Sequence, residues 1–152
     1  MPKPPMRVNE EDLSRLTKDI NEVESLGSGI RLLLGSYQDD HVHNINWEVN
    51  AAVEALNVFG SRWTIEILAT LYIAGERRFN ELRKLLNGIS SRTLSDKLRA
   101  CTGSGLIERI VIEGPPVRVT YRLTEHGHRA GRLLGPLVAY MKTHQGSIIG
   151  EE

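Results

Sequence analysis

Residues 78–100 read RFNELRKLLNGISSRTLSDKLRA, which is two short helical patterns joined by a turn at Asn87-Gly88-Ile89-Ser90. A Gly-Leu-Ile run at 105–107 then opens two apolar stretches that are separated by Gly114-Pro115-Pro116. A winged helix-turn-helix requires this order, because it consists of a positioning helix, a tight turn, an exposed recognition helix and a two-stranded wing. We therefore expect a mainly α-helical fold with a small β-hairpin, and duplex DNA is the leading candidate partner.

The second helical pattern, which Ser90 or Ser91 begins, has one apolar side. Leu94, Leu98 and Cys101 recur at positions i, i+4 and i+7, so they predict a buried stripe. Because successive helical residues turn by about 100°, the opposite side faces outward, and the major groove is wide enough to admit it. The residues predicted on that exposed side are Arg92, Ser95, Asp96 and Arg99.

The exposed side of this helix carries groups that bind nucleic acid. Arg92 and Arg99 are expected to reach guanine edges or phosphates. Asp96 repels phosphate, so it either accepts a hydrogen bond from a cytosine amine or holds one of the two arginines in place. Short side chains let the N-terminus of the helix approach a phosphate, and the serines that provide them are Ser90, Ser91 and Ser95. The alternative is a solvated helix face.

Further basic residues lie before and after the recognition helix. Arg118 follows the tip of the wing and is expected at the minor groove or its flanking phosphates, whereas Arg122 lies closer to the core. Arg83 and Lys84 on the positioning helix are candidate phosphate clamps, with ordinary surface charge as the alternative.

The formal net charge is zero, but the charges are segregated along the chain. Residues 76–132 contain 12 Lys/Arg and 6 Asp/Glu, whereas residues 1–54 contain 5 Lys/Arg and 10 Asp/Glu. A basic segment of this kind attracts phosphate even when the whole chain is neutral. The alternative is chance clustering on solvated faces.

The segments outside this region divide the chain into three predicted parts. Residues 1–46 form an acidic N-terminal extension with an amphipathic helix, residues 47–144 the winged helix-turn-helix domain, and residues 145–152 a flexible tail. Asn9 is a predicted helix cap, and Gly27-Ser28-Gly29 is expected to interrupt the helix. The apolar stripe of that helix consists of Leu13, Leu16, Ile20 and Val23.

Composition excludes several classes of protein. The single cysteine, Cys101, precludes an intrachain disulfide and a cysteine-only metal cluster, and no apolar run reaches the roughly 18 residues of a membrane span. We expect a soluble, cytoplasmic protein without a cofactor. The pairs His41/His43 and His126/His128 are spaced by two residues, which chelates a metal poorly on a helix. No arrangement of catalytic residues stands out, so we expect no enzyme activity.

The chain resembles the HxlR-type regulators, a branch near the MarR proteins among the winged-helix transcription factors. The matching motifs span about residues 50–142 and are Gly60-Ser61-Arg62-Trp63-Thr64, Arg78-Phe79-Asn80-Glu81-Leu82, Gly88-Ile89-Ser90, Leu94 with Leu98, Gly105-Leu106-Ile107, Pro115-Pro116, and Val119-Thr120-Tyr121-Arg122-Leu123-Thr124 with Gly127. The resemblance implies a homodimer that is assembled by terminal helices and binds two operator half-sites. The residues expected at the dimer interface are Leu13, Leu16, Ile20, Val23, Leu134, Leu137 and Met141.

The sequence departs from the family pattern in the cysteine used by several members to sense electrophiles. Asn50 stands at the head of the first core helix, where that cysteine often lies, and Cys101 lies on the apolar side of the recognition helix. The acidic residues 1–46 fall outside the resemblance.

Other functions are compatible with the same fold. A winged-helix module that binds a protein through its acidic N-terminal half needs no pair of outward arginines, and an architectural protein binds DNA without operator specificity. A small-molecule effector between the dimer helices is compatible with DNA binding and leaves no readable mark in the sequence.

Overall fold

The computed structural model of the chain describes residues 3–38 and 42–151. It confirms a mainly helical fold with a small β-sheet. In chain order the elements are β1 (Met6–Val8), α1 (Glu10–Gly35), α2 (Ile45–Ala55), a 3-10 turn (Asn57–Gly60), α3 (Thr64–Ala74), β2 (Arg77–Arg78), α4 (Phe79–Leu85), α5 (Ser91–Gly103), β3 (Ile107–Ile112), β4 (Arg118–Leu123), α6 (Glu125–His144) and β5 (Ile148–Gly150).

The chain separates into two compact units, and residues 50–132 form the unit that contains the helix-turn-helix. Its core is apolar and is built by α3, α4, α5 and the ends of the hairpin strands. The fully buried side chains include the predicted stripe of α5 and are Ile67, Leu71, Leu82, Leu94, Leu98, Cys101 and Ile107. Because these residues come from both helices of the motif, the same packing fixes the angle at which α5 leaves the turn.

Three strands form the sheet of this unit, in the order β2-β4-β3, and both pairings are antiparallel. Ile107 lies opposite Leu123 at the buried end of the hairpin, and Ile112 lies opposite Arg118 at its outer end. The alternation of Val119, Tyr121 and Leu123 with Arg118, Thr120 and Arg122 predicts one packed and one exposed face of β4, but Thr120 is buried although Arg118 and Arg122 are exposed.

Side-chain caps begin the helices where the sequence predicts them. The Asn9 side chain accepts a hydrogen bond from the Asp12 N–H at 2.7 Å, and Ser90 Oγ accepts one from the Thr93 N–H at 3.1 Å. The Gly127 N–H donates to Thr124 Oγ1 at 3.0 Å, which confirms Thr124 as the cap of α6. Each cap satisfies a backbone donor that has no partner within its helix.

Two local predictions were wrong. Gly27-Ser28-Gly29 does not interrupt α1, which runs unbroken for 26 residues, because a glycine in a helix costs only about 1 kcal/mol relative to alanine. The apolar pattern of Phe79, Leu82, Leu85 and Leu86 predicts a core helix, but Leu85 is exposed at the end of α4, where the chain turns and Leu82 and Leu86 are buried.

The other unit consists of residues 1–49 and 133–152. Its strands β1 and β5 pair in parallel, with Met6 opposite Ile148 and Val8 opposite Gly150. Residues 148–150 are therefore a strand within the segment for which we predicted a flexible tail. The polar composition of residues 36–46 predicts a linker. Of these residues, 39–41 lie outside the described ranges, and 45 and 46 already belong to α2.

Among the helices of the described ranges, none combines the length and the hydropathy that crossing a membrane would require.

Candidate nucleic-acid interface

The turn between α4 and α5 brings together three of the predicted DNA-binding residues. Gly88 adopts a φ of +92°, a backbone conformation that favours glycine, and the buried Ile89 anchors the turn to the core. A surface groove beside the turn is lined by Asn80, Arg83, Lys84, Gly88, Ile89 and Ser90. Two cationic side chains and the N-terminus of a 13-residue helix thus border one groove, which is a suitable environment for a phosphate.

The predicted outward side of α5 is accessible. Ser91, Arg92, Asp96 and Arg99 are exposed, and Ser95 is half-buried. Lys97 lies towards the interior instead, where its ammonium group donates a hydrogen bond to Ser61 Oγ. Lys97 is therefore engaged with the core domain, whereas Arg92 and Arg99 extend from it.

Asp96 forms no ion pair with Arg92 or Arg99 within the parts of the chain that the structure describes. The prediction that Asp96 holds one of these arginines in place gains no support from the geometry, so a role as an acceptor towards DNA is the remaining alternative of the two.

A second groove lies on the other side of α5, and it contains residues that sequence analysis missed. Ser95, Arg99 and Thr102 of α5 border it on one side, and Arg109 and Tyr121 of the hairpin border it on the other. Arg109 lies directly opposite Tyr121, two positions along from the buried pair Ile107 and Leu123. The alternation of side chains along β3 would have placed Arg109 on the same face as Ile107, but the approach of α5 to that face is not readable from sequence.

The two arginines of the wing differ in their surroundings. Arg122 forms ion pairs with Glu108 at 2.5 Å and Glu76 at 3.7 Å, and the hydrogen bond from Arg122 to Glu108 raises the pKa of its guanidinium. Arg118 is exposed at the outer end of β4 and has no ion pair with any acidic residue in the described ranges. Arg122 is exposed rather than close to the core, so it differs from Arg118 by these ion pairs and not by burial, and the preference for Arg118 as a phosphate contact stays a prediction.

The residues predicted at the dimer interface lie in the unit of residues 1–49 and 133–152. Those that are half-buried are Leu13, Leu16, Ile20 and Leu134, and those that are exposed are Val23, Leu137 and Met141. No residue of α1 is fully buried. These apolar side chains therefore remain available for contact with another surface.

Neither a metal site nor a reactive thiol is built into the described residues. No group of three or more His, Cys, Asp or Glu side chains converges in residues 3–38 and 42–151, and His41 of the first histidine pair lies outside those ranges. Cys101 is completely buried, and burial raises the pKa of its thiol, although the charge of Lys97 opposes that shift.

Comparison with known proteins agrees with this arrangement. Residues 58–148 match the model of the HxlR-like helix-turn-helix family. The HTH-type transcriptional regulator YtcD of Bacillus subtilis (strain 168) is 35% identical over 103 residues, which cover 67% of this chain and 81% of that protein.

Solved structures of regulators share the fold. A MarR-family transcriptional regulator from Enterococcus faecalis V583 superposes with a TM-score of 0.58 at 28% identity, covering 70% of this chain and 94% of that one. The reduced form of the transcriptional regulator YodB from B. subtilis gives a TM-score of 0.54 at 29% identity, covering 59% and 87%. The chain therefore belongs to the HxlR-like helix-turn-helix family and is a transcriptional regulator.

Proposed function

We propose that this regulator binds operator DNA as a homodimer, with α5 in the major groove and the wing at the minor groove or its phosphates. The observation that carries the proposal is the exposed side of α5. Arg92 and Arg99 project from it without an ion pair to any acidic residue of 3–38 and 42–151, and Arg99 also borders one of the two basic grooves beside the helix. A helix fits the major groove, and arginine recognises guanine there through two hydrogen bonds.

The flanking grooves supply the backbone contacts that orient the recognition helix. Arg83, Lys84 and the capped N-terminus of α5 contact phosphates on one side, and Arg118 contacts them from the wing. Two copies related by a two-fold axis read two half-sites about one helical turn apart. Such a dimer makes several phosphate contacts, so its affinity falls by orders of magnitude as salt is raised.

Fluorescence anisotropy tests the proposal directly. Labelled duplexes from the DNA upstream of the regulator's own gene are titrated across a salt series, with shuffled duplexes of equal length and composition as controls. We expect tighter binding to the native duplex and a steep dependence on salt. Equal binding to both duplexes would favour an architectural protein, and no binding at low salt would favour the protein-interaction module.

Substitutions then locate the contacts. Arg92→Ala and Arg99→Ala should each weaken binding to the native duplex by about 5- to 150-fold, since a good bidentate contact contributes about 1–3 kcal/mol of base discrimination. Arg132→Ala is the matched control, because Arg132 lies on α6 and is already paired with Glu125 at 2.9 Å. Equal losses in all three variants would contradict the assignment of α5 as the reading element.

A further inference from the structure

Helix α1 carries a heptad repeat, which extends through Gly27 and Gly29 because the helix continues without a break. Apolar residues and one glycine alternate at spacings of three and four over 22 residues, and the continuous helix from Glu10 to Gly35 keeps them on one side. These positions are Leu13, Leu16, Ile20, Val23, Gly27, Ile30 and Leu34. A repeat of this kind forms the seam of a coiled coil, which Leu26 and Leu33 flank here on one side.

The C-terminal half of this seam is uncovered. Val23 is 43% exposed, Ile30 59% and Leu34 57%, whereas Leu13 is half-buried beside Gly150 of β5. Within residues 3–38 and 42–151, no part of the chain therefore buries the C-terminal half of the seam. It also lies outside residues 58–148, to which the family model applies.

We propose that this seam is covered by α1 of a second copy of the chain, and that the two helices run antiparallel. The charges decide the orientation. Residues 10–24 contain six acidic and two basic side chains, whereas Arg31 is the one charged residue of 25–35. A parallel pair would bring the two acidic halves together and set Asp19 beside the partner's Glu24, and like charges at these flanking positions oppose pairing.

An antiparallel pair also gives six of the seven seam positions a complement, and only Leu34 lies beyond the end of the partner's helix. Placing Ile20 against the partner's Val23 sets Leu13 against the partner's Ile30 and Leu16 against the partner's Gly27. In the same register Glu10 lies beside the partner's Arg31, an attractive contact that occurs twice in the dimer. Each uncovered C-terminal half then meets the half-covered N-terminal half of the other copy. The pairing rests on the homodimer of the proposed function and specifies which surface forms it.

Sedimentation velocity of the full chain tests the seam. Ile30→Asp places a carboxylate against the partner's Leu13, so we expect the dissociation constant of the dimer to rise by about tenfold or more. Leu32→Asp is the matched control: Leu32 is 76% exposed, lies on the same helical turn and points away from the seam. A dimer that persists in Ile30→Asp, or is lost equally in both variants, would overturn the proposal.

Distance measurement tests the orientation. A spin label attached to Ser14→Cys reacts at an exposed position of α1, whereas Cys101 is completely buried. The antiparallel register sets residue 14 level with the partner's residue 29, which separates the two labels by about 22 Å along the helix axis. Two labels at the same height along the helix axis, as in a parallel pair, would overturn the antiparallel arrangement. A dimer with no defined distance between the labels would overturn the pairing of the two α1 helices, and this result is expected if α1 docks on the partner's α6 instead.

The DNA-binding experiment distinguishes this inference from the proposed function. Dimeric Ile30→Asp that still binds the native duplex would overturn the α1 seam alone. A wild-type dimer with the expected label distance that binds no duplex would support the seam and contradict the DNA-binding function.

Discussion

Arg122 donates a hydrogen bond from Nε to the Glu108 carboxylate at 2.5 Å, and the two residues lie directly opposite each other on β4 and β3. The Glu76 carboxylate approaches the same guanidinium at 3.7 Å. The charge of Arg122 is thus matched by acidic neighbours before DNA approaches. Arg118, four residues earlier on the same strand, has no such neighbour among the acidic residues that the structure describes.

This contrast predicts different effects of two otherwise identical substitutions. Arg118→Ala should weaken binding of all duplexes and reduce the slope of log affinity against log salt by about one, because one phosphate contact is lost. Arg122→Ala should leave the slope unchanged. Anisotropy titrations at four or more salt concentrations measure both slopes. An equal reduction in the two variants would show that the acidic partners do not shield Arg122.

Thr120 offers a test of the sheet. Its hydroxyl is buried and has no hydrogen-bond partner within residues 3–38 and 42–151. An unsatisfied buried polar group costs about 1–3 kcal/mol, so Thr120→Val, which keeps the shape of the side chain, should raise the free energy of unfolding by about 1 kcal/mol. Thr120→Ser retains the hydroxyl and removes the methyl group, so it should be destabilising. Urea denaturation measures both, and a loss of stability in Thr120→Val would reveal a partner for the hydroxyl.

Features that depend on residues close together in the sequence were predicted, and features that depend on residues far apart in the sequence were missed. The buried stripe of α5 was predicted correctly, and the cap was narrowed to Ser90 or Ser91, of which Ser90 is the cap, because helical spacing and capping are local properties. The groove between Arg99 and Arg109 was missed, because it depends on the approach of a helix to a strand that follows it in the chain. Strand β5 was missed for the same reason: its three residues pair with β1 at the opposite end of the sequence.

The course of α1 shows how a local rule can mislead. Two glycines within three residues favour a break, but neither one meets another side chain, and apolar residues with high helix propensity follow them. The cost of each glycine is spread over a long cooperative helix, so the helix continues.

Two helical glycines differ in the space around them, so replacement by alanine should have opposite effects on stability at the two positions. A Cβ on Gly127 of α6 would overlap the backbone carbonyl oxygen of Leu106, and backbone cannot move aside as a flexible side chain does. Gly127→Ala should therefore destabilise the protein by about 1–3 kcal/mol. Gly29→Ala in α1 meets open space and should stabilise it by about 0.5–1 kcal/mol. Thermal unfolding followed by circular dichroism compares them, and similar shifts of Tm in both variants would contradict the close contact between α6 and Leu106.

Cys101 leads to the last prediction, which concerns control of the regulator. Thiolates react with electrophiles and oxidants, whereas the thiol of Cys101 is completely buried and burial raises its pKa. DNA affinity should therefore be unchanged after treatment with diamide or a quinone, and alkylation of the native protein by iodoacetamide at pH 8 should be much slower than alkylation in urea. Mass spectrometry measures the alkylated fraction, and Cys101→Ala provides the control for reaction at other side chains. Rapid modification of Cys101 with loss of DNA binding would show that α5 opens often enough to expose its apolar side, and would make this cysteine a sensor.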